Sequence, residues 1–285
     1  MQLPAGAVLC ESGGWQSGDR DMKLNDAQLH RFREDGFLVL PGLFAEAEVE
    51  ALRAALPALL AEDAPGNIRE KAGGEVRTAM GLHLRDELFA RLVRHPRLVE
   101  PAKQIAGPEL YVQQVKVNAK AAFSGEVWQW HQDFSTHHRE DGVPEPLALN
   151  LHILLDEVGQ FNGPLVFIPG SHRRGPLPAT LDEVTTSYPL WTLANSDVAE
   201  LARARGLVAA TGRAGTGVIF GDCMVHSSPP NMSPWERRIF SLILNPVANA
   251  QTTFRRPDHK HHRDFTPVTA LADDCLSPGA ARRAG

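Results

Sequence analysis

"LYVQQVKVNAKA", residues 110–121, is where the chain changes its period. Before it, apolar residues recur at helical spacing; after it, they alternate or form short blocks of Val, Ile, Leu and Phe. Within the stretch, Val112, Gln114, Lys116 and Asn118 fall on one face of a strand, because successive side chains point to opposite sides.

Upstream, Asn25 or Asp26 caps a helix running through Glu34, with Gly36 to end it. "FLVL" (37–40) is a strand closed by Pro41-Gly42. "AEAEVEALRAALPALLAE" (45–62) is an amphipathic helix in which Pro57 predicts a kink or break. Residues 63–80 are polar and Gly-rich and are expected to form a mobile loop, and 86–107 give two short helices broken at Pro96.

Downstream, "LALNLHILLDEV", "PLVFIPGS", "GTGVIFGDCMVHSS" and "RRIFSLILNPVA" are strands. A helix over 195–206, capped by Ser196 or Asp197, is inserted among them. Helices first and many antiparallel strands afterwards predict one α+β domain over 22–285, built on a sandwich or barrel. Residues 1–21 show no periodicity and are expected to be a disordered tail, or an upstream start taken in error before Met22.

Composition excludes several classes. A hydrophobic content of 43% with 22% charged residues suits a soluble globular protein with a sizeable core. A net charge of −5 provides no basic surface for nucleic acid. No apolar run reaches the length of a membrane span, and the first residues lack the pattern of a secretion signal. Three scattered cysteines, Cys10, Cys223 and Cys275, argue against a disulfide framework and for the reducing cytoplasm.

The chemistry begins in "WQWHQDF" (128–134). On a regular strand His131 and Asp133 share a face, and one imidazole with one carboxylate is half of the facial triad that holds non-haem Fe(II). The third ligand should be a distant histidine on a neighbouring strand. His226, where an apolar strand meets a turn, is the best candidate; His152, in mid-strand, also has an inward option, and His172 sits in a turn. By itself an H-x-D is weak evidence. "HKHHR" (259–263) reads most simply as a solvated basic stretch, and His137 and His138 as loop residues unless they face the site. What strengthens the metal reading is Arg237, eleven residues after His226. A hairpin through "SSPPNMSPWE" would return its guanidinium beside the histidine, as a planar fork for a carboxylate. Iron with a carboxylate clamp is what a 2-oxoacid co-substrate requires.

As a set, "HQD", "NGPLVFIPGSH" and "HSSPPNMSPWERR" resemble the phytanoyl-CoA dioxygenase superfamily of Fe(II)/2-oxoglutarate oxygenases. "VRHPRLVEPAKQI", "YVQQVKVNAKA", "VWQWHQDF", "REDGVP" and "RPDHKHHRDFTPV" look most like its bacterial free proline 4-hydroxylase and ectoine hydroxylase branch, over roughly residues 24–270. The resemblance implies a double-stranded β-helix, or jelly-roll, core with helices outside it. It implies that His131, Asp133 and His226 are the iron ligands and that Arg237 holds the distal carboxylate of 2-oxoglutarate, with Arg238 structural. Asn118, Ser228, Trp128 and Asn150 match positions of the co-substrate pocket, and Gln114 and Phe220 match substrate-side positions. His137 stands where the ectoine hydroxylase pattern has tryptophan, which counts against ectoine itself. Arg139 is a candidate partner for a substrate carboxylate.

The chemistry so implied uses O2 and 2-oxoglutarate, releases succinate and CO2, and hydroxylates an unactivated C–H of a free amino acid or cyclic imino acid, proline-like first. Trp128, Trp130, Phe134 and Phe220 are candidates for a dry wall. The Asp133 carboxylate favours hydroxylation over halogenation, which needs that position free. Alternatives are the same chemistry on a carrier- or CoA-tethered acid or a larger natural product. From a different class come a jelly-roll small-acid binding protein without catalysis and a cupin-like isomerase, which would not require Arg237.

Overall fold

The computed structural model describes residues 22–72 and 74–277; the expected N-terminal tail lies outside the described residues. Six α-helices, α1 (Asp26–Asp35), α2 (Glu46–Ala61), α3 (Glu87–Leu92), α4 (Pro96–Ala106), α5 (Asp133–Asp141) and α6 (Asn195–Arg205), accompany thirteen strands. The strands are β1 (Phe37–Leu40), β2 (Asn67–Arg69), β3 (Val76–Met80), β4 (Leu110–Lys120), β5 (Trp128–His131), β6 (Leu149–Leu154), β7 (Leu165–Phe167), β8 (Ala179–Asp182), β9 (Leu190–Leu193), β10 (Val208–Ala210), β11 (Gly217–Gly221), β12 (His226–Ser228) and β13 (Arg237–Pro246).

The strands form two antiparallel sheets: a seven-stranded one, ordered β1-β11-β6-β13-β4-β3-β2, and a six-stranded one, ordered β10-β7-β12-β5-β9-β8. This is the jelly-roll sandwich expected of the strand-rich half. Period-2 alternation decides what each face of the large sheet meets. Leu151, Ile153, Ile219, Phe240, Leu242 and Leu244 point outward into a core shared with α2, α3 and α4. Leu154, Val218, Phe220 and Ile239 point inward against Leu165, Phe167 and Val208 of the small sheet. Asn118, Asn150 and His152 line an internal chamber.

Local signals account for most boundaries. Asn25 and Gln28 make a reciprocal capping box at α1, and Gly36, at φ +84°, ends it. A Cβ on Gly36 would come within 2.2 Å of the His172 ring, so that position needs glycine twice over. Pro96 opens α4, as a first-turn proline does.

Four expectations are corrected. Pro57 neither breaks nor ends α2: the helix runs on, because Val49, Leu52, Leu56 and Leu59 bury one stripe while Pro57 faces solvent. Residues 63–80 are not simply a loop, since β2 and β3 form there and Thr78 of β3 pairs with Asn118 of β4. The cap of α6 is Ala194, with no side-chain bond, rather than Ser196 or Asp197. Val112 does not share the face of Gln114, Lys116 and Asn118. In the β4–β13 ladder Leu244 pairs with Val112 and Ile243 with Gln114, so Gln113 is an extra residue. That bulge turns Val112 outward to the helix-side core while its polar successors face in.

Candidate active site

His131 ends β5 and His226 begins β12, and the two residues are direct partners across the small sheet. Side chains opposite one another in an antiparallel pair point the same way, and the two rings stand 4.1 Å apart by centroid. Asp133 is not on the strand with His131, as expected, but is the first residue of α5. The strand-to-helix turn still delivers its carboxylate, with Oδ1 3.6 Å from His131 Nε2 and Oδ2 3.8 Å from His226 Nε2. Gln132, between them, points away and ties the turn to the carbonyls of Gly175 and Cys223.

Backbone carbonyls orient both imidazoles. His131 Nδ1 donates to Gln129 O at 2.6 Å and His226 Nδ1 to Met224 O at 2.9 Å. Each Nε2 is thereby left as a lone pair facing Asp133, the second-sphere arrangement that prepares histidine for a metal. Burial pushes the His226 imidazolium down to about 4. Burial also acts on Asp133, but its interactions with His226, His131 and Lys116 hold its carboxyl well below the usual range. Among the described residues this is the one group of three such side chains, with all ligand atoms within 4.8 Å of one another. Two imidazoles and one carboxylate fit a divalent iron and leave positions open for a chelating co-substrate.

The chamber runs between the sheets from this cluster. At one end Arg237, 1% exposed, donates through Nη2 to Ser228 Oγ at 2.8 Å and has no carboxylate partner within salt-bridge distance. Burial lowers its pKa to about 9, which measures how poorly the surroundings compensate it. Nearby, Asn118 Oδ1, Asn150 Nδ2 and Arg237 Nε are buried without partners. Such atoms are costly in a finished core and fit a site that receives a polar ligand. Trp128 and Ser228 complete this end.

The chamber is lined further by Gln114, Lys116, His137, Tyr188 and Arg256. Lys116 donates to Gln114 Oε1 at 2.7 Å, and Gln114 Nε2 donates to Lys260 O at 2.5 Å. His137 Nδ1 donates to Asp222 Oδ1 at 2.9 Å. Arg256 pairs with Asp141, which also accepts from His261 at 2.8 Å; Tyr111 donates to the far nitrogen of that ring.

Several expectations change here. His226 and Arg237 are not neighbours in a hairpin: β12 and β13 belong to opposite sheets, and the intervening turn carries the chain across the sandwich. Both reach the chamber nonetheless. Phe220 does not line it; its ring packs 4.8 Å behind His226. Arg139 is exposed on α5, over the Trp191 ring at 4.5 Å, and does not reach the chamber. Of the four aromatics proposed as a wall, Trp128 lines the chamber, whereas Trp130 and Phe134 pack into separate small clusters. His172 lies away, bonded to Arg33 O, and His152 lines the chamber but pairs with Ser241. "HKHHR" is not a solvated stretch, for His261 and His262 are buried. Lys116, Tyr188 and Arg256 were missed. Lys116 had a signal in its alternation with Gln114 and Asn118; the other two come from irregular segments and had none.

A family model described as phytanoyl-CoA dioxygenase matches residues 32–239. An L-proline trans-4-hydroxylase of Streptomyces griseoviridis is 37% identical over 263 residues, covering 89% of this chain and 98% of that one. An ectoine dioxygenase of Nocardia farcinica is 34% identical over 261 residues, covering 86% and 88%. The crystal structure of EctD from S. alaskensis with 2-oxoglutarate and 5-hydroxyectoine superposes with a TM-score of 0.78 at 32% identity, covering 91% of this chain and 90% of that one. The same protein with bound Fe gives 0.77.

Proposed function

The chain belongs to the phytanoyl-CoA dioxygenase family and is an Fe(II)/2-oxoglutarate-dependent dioxygenase, and on that premise we propose that it hydroxylates an unactivated C–H of a free amino acid or cyclic imino acid, proline-like first. The observation that carries the residue assignment is the convergence of His131, Asp133 and His226 on the wall of a chamber whose buried Arg237 has no carboxylate of its own. His131, Asp133 and His226 would hold the iron. Arg237, helped by Ser228, Asn118, Asn150 and Trp128, would hold 2-oxoglutarate by its distal carboxylate. When bound, ferrous iron with 2-oxoglutarate and O2 supplies the oxidation, yielding succinate, CO2 and the hydroxylated product.

The chain's own part is placement. Its lone-pair-bearing imidazoles need no reorganisation to accept the metal. The chamber wall presents Lys116, the imidazole of His137 and the guanidinium of Arg256, the last already paired with Asp141. Charge there suits a substrate carboxylate, and Gln114 fixes the position of Lys116. Tyr188 and Trp128, with rings 5.3 Å apart, both line the chamber and would help keep water from the substrate. The similarity of the proline hydroxylase over nearly its whole length supports a small free substrate rather than a tethered one.

We read residues 22–285 as one oxygenase domain, since helices and both sheets share continuous cores. No helix among the described residues is long and apolar enough to cross a membrane. The free, buried Cys223 and Cys275 support the expected cytoplasmic setting.

The test is succinate formation by Fe(II)-loaded protein with 2-oxoglutarate and O2 across proline, pipecolate, leucine and ectoine. A substrate that stimulates succinate and gains one oxygen atom, with both effects abolished in His131→Ala, is the expected result. Stimulation by none of them would remove the free amino acid reading and leave a tethered or larger substrate.

A further inference from the structure

The reaction so described assigns no part to Glu126, yet this one carboxylate gathers the loops around the chamber. Glu126, just before β5, accepts through Oε2 from Arg77 Nη1 at 2.7 Å, from the Ser187 backbone N–H at 2.6 Å and from Ser187 Oγ at 2.8 Å. Its Oε1 accepts from the Lys71 N–H at 3.0 Å, and its own N–H donates to Glu70 at 3.1 Å. The Lys71 ammonium in turn bonds Val184 O. Three segments remote in sequence meet on this side chain. Burial raises its pKa, but the donors prevail and hold it at about 2.

Two aromatic residues that line the chamber, Trp128 and Tyr188, adjoin this knot. Arg77, 1% exposed, donates to Val127 O and stands 3.9 Å over the Trp128 ring. Ser187 immediately precedes Tyr188. The other side-chain bonds of the 182–188 segment are mostly local: Asp182 accepts from the Val184 and Thr185 N–H groups and Thr186 donates to Tyr188 O. Beyond these, Asp182 accepts from Gln129, and Tyr188 meets Arg256 through its hydroxyl and the Lys260 ammonium, 5.3 Å over its ring. Glu126 and Lys71 thus tie Ser187 and Val184, in the middle of the segment, to the body.

We propose that Glu126 is a positioning residue for the oxygenase reaction: it clasps the 183–188 loop over the chamber and so fixes Tyr188 and Trp128 as the cover that keeps substrate in and water out. The proposal rests on the oxygenase reading above. Loosening the clasp leaves the iron ligands and Arg237 intact. 2-Oxoglutarate is then still consumed, but the substrate is held less well, and succinate and hydroxylated product cease to form in step.

The experiment compares wild type with Glu126→Gln, which keeps shape and loses charge, and with Ser187→Ala, which removes one donor and leaves Arg77 paired. In Glu126→Gln the substrate KM is expected to rise about 10-fold and the succinate-to-product ratio at least about 3-fold, both larger than any change in 2-oxoglutarate affinity, which Arg237 dominates. Ser187→Ala should move both readouts the same way by less, and it decides the matter if Glu126→Gln does not fold. A lower melting temperature with ratio and KM unchanged would overturn the proposal and leave a mere brace. A second readout needs no substrate: limited proteolysis of the full Fe(II)- and 2-oxoglutarate-loaded chain. Faster cleavage within 183–188 in Glu126→Gln supports the clasp and an equal rate overturns it, even should every amino acid tried with wild type prove inert.

Discussion

His131 and His226 face each other across two short antiparallel strands, and each hands its Nδ1 proton to the backbone carbonyl two residues before it in the chain. The same local geometry, repeated on neighbouring strands, leaves two Nε2 lone pairs aimed at one carboxylate. Because the orienting groups are backbone atoms, no side-chain substitution elsewhere can substitute for a missing ring. His226→Ala is expected to weaken binding of a divalent ion such as Ni(II) or Co(II) by about 100-fold or more, measured by calorimetry on the apoprotein. Stoichiometric binding of undiminished affinity would show that the ion sits elsewhere.

Arg237 is a buried guanidinium lacking a carboxylate, and the fork is the feature that a 2-oxoglutarate carboxylate would use. Arg237→Gln should raise the KM for 2-oxoglutarate by about 100-fold, a buried charged pair being worth roughly 2–5 kcal/mol. Arg237→Lys keeps charge but not the fork and should fall between. Iron binding should be unaffected in both. An unchanged KM for 2-oxoglutarate would show that another group holds its distal carboxylate.

His137 should report on substrate alone. Asp222 holds its Nδ1, so the ring cannot turn, and its other nitrogen is left to the chamber. Burial opposes charge on this ring, yet the Asp222 carboxylate outweighs it and the imidazole pKa is raised. His137→Phe is expected to raise the substrate KM by about 10- to 100-fold, as for loss of a charge-assisted hydrogen bond, with the 2-oxoglutarate KM unmoved. Equal effects on both constants would mean that the ring only packs.

How much of this was legible beforehand depends on whether a residue's placement is local. The helix starts, the strand "FLVL" and the inward set Gln114, Lys116 and Asn118 follow from caps and alternation, which act over a few residues. The Gln113 bulge escaped because an inserted residue leaves no trace in hydrophobic order, only in the partner strand's register. His226 and Arg237 were paired correctly for the wrong reason: the expected hairpin is a crossing between sheets. Arg256 and Tyr188 had no local signal, since irregular segments bring them in and Asp141 or Glu126 secures those segments from far away in sequence. "HKHHR" misled because its composition is that of a surface. Asp141 and Tyr111, which bury His261, lie more than a hundred residues upstream.

The buried histidines away from the iron site give the fold its own pH dependence. His95 is fully buried beside the Phe44 ring and bonded to Asp273 O, and burial lowers its pKa from 6.5 to about 4. Between these values the unfolded chain binds the proton and the folded one does not. Stability is thus complete above about pH 6.5 and falls as pH drops towards 4, by up to about 3 kcal/mol for this residue. Asp141, held at about 2 by His261 and Arg256 against the cost of burial, acts in a lower window: its contribution is lost only below the ordinary carboxylate range. Urea unfolding of the metal-free chain at a series of pH values should therefore show a decline beginning near pH 6.5, and His95→Gln should flatten part of it. A profile flat from pH 7 to 5 in the wild type would mean that His95 charges without cost, contrary to its enclosure.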